Sequence, residues 1–261
     1  MTSSGESACR VLRSLGIDRF AGAVSTGSGQ ALRLDGLKVG LELDYDEIPG
    51  LSDPSVPGHA GRLRVVEGGE GYWAIWIGRR HFYQGYSYEE IGLYIDISSG
   101  LGADRLICIN AAGGLDPSLR VGDLLVVERY RCFIPIPGRQ RTFDGGPWTE
   151  TSKDLADRLE SISGRCGIRL LRRNYVGVPG PTYETAAEVA WLRSLGCHVV
   201  GMSTVPELLR AKERAMKSVA LSAVANVHGS DRVLRHEEVV EAGRRSVTEI
   251  DRLMSALILG E

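Results

Sequence analysis

The sequence predicts an α/β layered fold, and three observations carry that expectation. Short apolar runs rich in Val and Ile alternate with segments of helical periodicity from end to end. The apolar runs are too short for helices and carry the branched side chains that suit a pleated surface. The 261 residues are enough to bury a large core, and no repeat, low-complexity stretch or evident linker divides them, so residues 1–261 read as one domain.

In chain order, a helical pattern over 8–15 leads into an apolar strand at 20–24. Residues 73–77 (Trp-Ala-Ile-Trp-Ile) form the next strand, and 88–101 return to helical spacing. Strands follow at 105–109 and 123–127, a helix at 152–163, a strand at 174–178 and a helix at 186–195. A short strand at 198–200, a helix at 205–217 and a strand at 219–224 precede a long final helix at 237–259. That last helix places Ile250, Leu253, Met254, Leu257 and Ile258 on one face, which is therefore buried. Thr185-Ala-Ala-Glu188 and Thr204-Val-Pro-Glu207 both read as capping boxes. Residues 132–147, with Pro, Gly and Arg but no periodicity, read as an exposed loop.

Composition narrows the function classes. A formal net charge of −2, with 43% hydrophobic and 25% charged residues, offers no global attraction for nucleic acid or an anionic membrane. The five cysteines (Cys9, Cys108, Cys132, Cys166 and Cys197) are odd in number and show no CxxC spacing. They read as free thiols in a reducing compartment. With a polar start and no run of membrane-spanning length, the expected location is the cytoplasm.

Four times an apolar strand runs into a turn of small residues: Ser25-Thr-Gly-Ser-Gly29, Asn110-Ala-Ala-Gly-Gly114, Val178-Pro-Gly-Pro181 and Gly201-Met-Ser-Thr204. Ligands of open α/β sheets bind at such strand ends, where small residues let backbone N–H groups approach an anion. No Gly-Lys-Ser/Thr follows Gly27-Ser-Gly29 and the third glycine of a dinucleotide fingerprint is missing, which disfavours an NAD-linked oxidoreductase. After the strand ending at Ile77, Arg79 and His81 stand two apart, so an extended segment points both the same way, either toward an oxyanion or into solvent. His59 sits among glycines, Glu184 and Asn226 follow strands, and His236 heads the last helix; each alone is as easily a structural or surface residue. There is no HExxH, no Cys/His metal cluster and no Gly-x-Ser-x-Gly elbow.

Taken together these stretches closely resemble the trimeric purine nucleoside phosphorylases. The matching segments are Gly27-Ser-Gly29, Val56-Pro-Gly-His-Ala-Gly-Arg-Leu63, Gly78-Arg-x-His-x-Tyr-x-Gly-Tyr86, Asn110-Ala-Ala-Gly-Gly-Leu115, Val121-Gly-Asp123, Gly180-Pro-x-Tyr-Glu-Thr185, Val200-Gly-Met-Ser-Thr-Val-Pro-Glu207, Asn226 and His236-Glu-Glu-Val239, in the family's order. The resemblance implies a nucleoside phosphorylase fold, with a mixed, distorted, barrel-like sheet flanked by helices, assembled as a homotrimer. It implies a pentosyltransferase of purine salvage with no cofactor, using inorganic phosphate as co-substrate. Phosphate would be held by Ser28, His59, Arg79, His81, the Ala111 backbone and Ser203; ribose by Tyr83, Met202 and His236; base by Tyr183, Glu184, Gly201 and Asn226. His81, Glu184 and Asn226 would carry the catalysis.

Glu184 and Asn226 match a 6-oxopurine, which offers an N1–H donor and an O6 acceptor. Methylthioadenosine phosphorylases usually carry Asp at the position of Asn226 and a small residue at that of His236. Inosine, guanosine and their 2′-deoxy forms are therefore the expected substrates. The alternatives are a phosphorylase of 5′-modified or 6-aminopurine nucleosides and a non-catalytic nucleoside-binding relative. Three departures from the family pattern stand out. Gln84 replaces a Glu that would charge the neighbouring histidine, Val227 replaces a frequent Lys, and the loop at 132–148 is shorter, with Phe143 as the aromatic candidate for a neighbouring subunit's ribose pocket.

Overall fold

The computed structural model describes residues 3–27, 32–34, 36–52, 54, 60–139, 142, 144–229 and 236–261, except the side chains of 236–240. Among these, the strands are β1 (Gly22–Thr26), β2 (Val39–Asp44), β3 (Arg62–Gly68), β4 (Gly71–Ile77), β5 (Arg105–Gly114), β6 (Leu124–Cys132), β7 (Thr149–Glu150), β8 (Leu170–Gly177), β9 (Val199–Gly201) and β10 (Lys217–Val227). The helices are α1 (Ser3–Ser14), α2 (Tyr88–Ile91), α3 (Leu93–Gly100), α4 (Lys153–Arg165), α5 (Ala186–Ser194), α6 (Val205–Glu213) and α7 (His236–Leu259).

Period-2 alternation sorts the central strands into two apolar layers. Leu106 and Cys108 of β5 face one core, which also takes Ala8 and Leu12 of α1, Leu93 and Ile97 of α3, and Leu208 of α6. Ile107 and Ile109 face the other, with Leu159 and Ile162 of α4 and Ile250, Leu253 and Leu257 of α7. A smaller cluster seats Val189 and Leu192 of α5 on Val176 and Val200. The expected buried face of the final helix is observed, and Cys108 and Cys197 are buried as well.

The strands join one sheet in the order β10-β6-β8-β9-β5-β1-β4-β3-β2, with β7 attached to β6, and β10 also pairs with β5. That extra pairing closes β5, β10, β6, β8 and β9 into a five-stranded mixed barrel, from which β1, β4, β3 and β2 extend. The strand β5 pairs with β10 along its whole length on one edge. Its other edge divides: residues 106–109 pair with β1, whereas Gly113 and Gly114 pair with β9. Asn110, Ala111 and Ala112 lie at this fork. The turn expected at 110–114 is thus extended strand, because β10 and β9 keep supplying backbone partners beyond Ile109.

Other differences have local causes. The strands β2 and β3 carry no long apolar run; charged pairs link their exposed face, Arg62 to Glu42 (2.7 Å) and Asp44 (3.0 Å), and Arg64 to Glu42 (2.8 Å). The helix expected over 88–101 breaks at Gly92, where a Cβ would lie 2.7 Å from Cγ of Arg210 crossing from α6. Helix α6 ends at Glu213, before the expected 217, because Ala215 (φ 56°) turns the chain into β10. The loop after β6 is not wholly exposed, since Ile134 and Ile136 are buried.

One buried charge ties α3 to α6. The Asp96 carboxylate is fully buried and takes paired hydrogen bonds from Arg210 (2.7 and 2.7 Å) and Arg214 (2.8 and 2.8 Å). Burial alone would raise its pKa, but the two guanidiniums outweigh burial and hold it below the ordinary 3.8. A carboxyl whose pKa is depressed on folding adds stability above its unfolded value and loses it as pH falls through the folded value. Asp96→Ala is therefore expected to cost about 3 kcal/mol at pH 7 by urea denaturation. The gap from the parent protein should narrow below pH of about 4. A gap independent of pH would mean that the pair adds no charge-linked stability.

Candidate active site

The carboxyl ends of β1, β4, β5, β9 and β10 surround a cleft of about 230 Å³ at the β5 fork. Its lining includes Arg79, His81, Tyr83, Ala111, Tyr183, Glu184, Gly201, Met202, Ser203 and Asn226. Of the residues expected at the site, the cleft thus unites every one whose side chain is described. Ser28 and His59 lie outside the described residues, as do Phe143 and the side chain of His236.

Arg79 reaches the fork because β4 ends at Ile77 and the next residue, Gly78, has a positive φ (96°) that turns the chain inward. The Tyr45 hydroxyl donates to the Gly78 carbonyl at 2.7 Å and fixes that turn. The Arg79 guanidinium donates to the carbonyls of Ile109 (2.6 Å) and Ser25 (3.3 Å), and so bridges β5 and β1 where their ladder ends. It also donates to the hydroxyls of Ser203 (3.0 Å) and Thr204 (3.1 Å). Glu207 lies 3.5 Å behind it, buried, and accepts from the Tyr94 hydroxyl. The Ser203 hydroxyl, which accepts from this cation, also lies 3.2 Å from the Thr204 hydroxyl. Ala111, exposed in the cleft, pairs with β10 on one edge of β5 and lies between the β1 and β9 ladders on the other.

The second capping box is not formed. Thr204 adopts φ 70° and ψ −49° and caps nothing; its hydroxyl serves Arg79, and Glu207 turns inward instead of back to the helix start. A β-branched residue at positive φ costs about 1–3 kcal/mol and persists only where surrounding contacts impose it. Tyr175 is one of them: its hydroxyl donates to the Ser203 carbonyl at 3.3 Å. Burial pushes the Tyr175 pKa up to about 12, against a lowering pull from Arg79, so the donor persists at neutral pH. A side chain at Gly201 would collide with that hydroxyl, which accounts for glycine there.

His81 stacks on Tyr83, with centroids 4.8 Å apart and planes at 22°. Burial raises the Tyr83 pKa, keeping the phenol neutral. Gln84 fixes the histidine tautomer. Its Oε1 accepts from the His81 backbone N–H (2.8 Å) and faces Nδ1 (3.1 Å), while its Nε2 donates to the Pro54 carbonyl (2.6 Å). These partners set the amide orientation, so Nδ1 carries the hydrogen and neutral His81 has its lone pair on Nε2. A carboxylate could not make the bond to Pro54.

On the opposite wall, Thr185 and Glu188 form the expected capping box and hold the start of α5, with Glu184 just before it. Asn226 follows a register shift in β10 and pairs with Gly113. Tyr183 stands at the mouth and is 77% exposed. One cleft residue has no counterpart in the sequence reading. His228, two residues beyond Asn226, places Nε2 3.1 Å from Oε2 of Glu184, within ion-pair range though off hydrogen-bond alignment. The period-2 spacing from Asn226 was the available signal.

Among the described residues no helix is long and apolar enough to cross a membrane. The phosphorylase superfamily description matches residues 23–259. Purine nucleoside phosphorylase 1 of Bacillus subtilis (strain 168) is 35% identical over 242 residues, covering 89% of each chain. The purine nucleoside phosphorylase of Bos taurus is 32% identical over 261 residues, covering 90% of this chain and 87% of its own. The structure of Schistosoma mansoni purine nucleoside phosphorylase in complex with inosine superposes with a TM-score of 0.79 at 27% identity, covering 97% of this chain and 95% of that one. Sequence and fold agree along nearly the whole length, and the chain belongs to the phosphorylase superfamily.

Proposed function

We propose that this protein is a purine nucleoside phosphorylase that cleaves 6-oxopurine ribonucleosides and 2′-deoxyribonucleosides with inorganic phosphate. The observation that carries the reading is the meeting, in one cleft, of an anion-binding wall and a purine-edge pair. Arg79, His81, Ser203 and the Ala111 backbone make the first, and Glu184 and Asn226 the second. Ser28 and His59 complete the phosphate site in this reading, Tyr83, Met202 and His236 border the ribose, and Tyr183 and Gly201 flank the base. The same reading makes the protein a homotrimer.

The chemistry follows from where charge develops. As the C1′–N9 bond breaks, the ribose becomes positive and its electron pair leaves with the purine. A phosphate held beneath the sugar stabilises the cation and then bonds to C1′, giving the pentose 1-phosphate. The departing base gains a proton at N7, where the Asn226 amide hydrogen-bonds. Glu184 accepts from N1–H. Rate comes from placing charge and donors, with phosphate itself as the nucleophile. A bare N1 and a 6-amino group, as in adenine, mismatch both side chains.

The deciding assay is release of free base from inosine, guanosine, adenosine and methylthioadenosine, with and without phosphate. Base from inosine or guanosine only when phosphate is present is expected. A higher kcat/KM for adenosine or methylthioadenosine overturns the substrate class, and no release from any of the four favours a binding protein. Asn226→Ala should lower kcat about 100-fold or more; an effect confined to KM would remove the leaving-group role. Gln84→Glu should lower the phosphate KM most toward neutral pH, because a carboxylate beside Nδ1 favours the imidazolium. It should also lower Tm, because the donor to Pro54 is lost. A phosphate KM unchanged at every pH would show that position 84 does not set the charge of His81.

A further inference from the structure

We propose that His228 is a specificity-determining residue that limits Glu184 to a single donor on the base, and so disfavours purines bearing a 2-amino group. The inference rests on the reading of Glu184 as the partner of N1–H. A carboxylate can take two neighbouring donors, one on each oxygen. A 2-amino-6-oxopurine presents such a pair, N1–H and the adjacent amino N–H, whereas a purine without a 2-substituent presents N1–H alone.

In this structure one of the two carboxylate oxygens is already attended. The Nε2 of His228 lies 3.1 Å from Oε2 of Glu184, and the two side chains are only 14% and 7% exposed. The imidazole therefore fills the space from which a second donor would approach. Its placement is built in at three points. The His228 backbone N–H donates to the Gly114 carbonyl at 2.9 Å, which extends the β10–β5 ladder. Arg193 of α5 donates to the His228 carbonyl at 2.7 Å and also to the Leu115 carbonyl. A Cβ at Gly113 would stand 3.0 Å from Nε2, so glycine at that position makes room for the ring. A 2-amino group must displace a ring held at its backbone from both sides.

The test compares inosine and guanosine kinetics, together with hypoxanthine and guanine binding by calorimetry, in the parent protein, His228→Val and His228→Gln. The parent should favour inosine in kcat/KM and hypoxanthine in Kd. His228→Val should shift both ratios toward the 2-amino compound about tenfold, through the guanosine KM and with kcat little changed. His228→Gln refills the volume near the Nε2 position with a polar group and should keep the parent preference. Ratios unmoved in His228→Val, or both substrates changed equally, overturn the proposal while leaving the phosphorylase reading intact. Failure of the parent to bind either base or cleave either nucleoside overturns both.

Discussion

The cleft depends on how β5 divides one of its edges. A strand that kept β1 as neighbour to its end would leave no opening, and one that lost all partners there would leave buried backbone unsatisfied. Here β10 holds the full length of β5 from one side, while β1 releases it after Ile109 and β9 takes it at Gly113. The residues between are the part of the core where polypeptide faces a cavity. Closing the barrel through β9 makes that divergence, and strand order changes at the same place, as α/β ligand sites require.

A fork of this kind is unstable unless something spans it. Arg79 does so, donating to the carbonyls of Ser25 in β1 and Ile109 in β5, where the ladder between those strands ends, while buried against Glu207. The cost appears next door, in the positive φ of Thr204 and the abandoned helix cap. Local rules are set aside where a buried cation must be surrounded by acceptors, which is where a site is expected to depart from them.

The same trade explains what could be read in advance. Strands with alternating Val, Ile and Leu and the one-sided final helix were legible, because hydrophobic period reports burial directly. Arg79, His81, Glu184 and Asn226 were ambiguous one by one and became legible because the motifs around them, Gly78-Arg-x-His and Gly180-Pro-x-Tyr-Glu among them, resemble the phosphorylase pattern in order. The strands β2 and β3 were not, since their cross-strand stabilisation comes from Arg62, Arg64, Glu42 and Asp44, residue types that also mark loops. Thr204 was misread because its sequence suits a cap, and only the presence of Arg79 explains the other use. His228 escaped notice because a histidine past a strand end has no meaning until the partner across the cleft, Glu184, is known.

Two arginines divide the cleft between them. Arg79 braces the wall where β1 and β5 separate, and Arg193 fastens the wall where β5 and β10 run out, from the same helix whose start positions Glu184. Among the bonds described, Arg79 serves the first wall and Arg193 the second. Each wall thus has its own brace, so variation on the Arg193 side need not remove the bonds that hold the Arg79 side. Divergence within such a lineage would therefore run along one wall, changing the compound accepted while the reaction performed on it stays fixed.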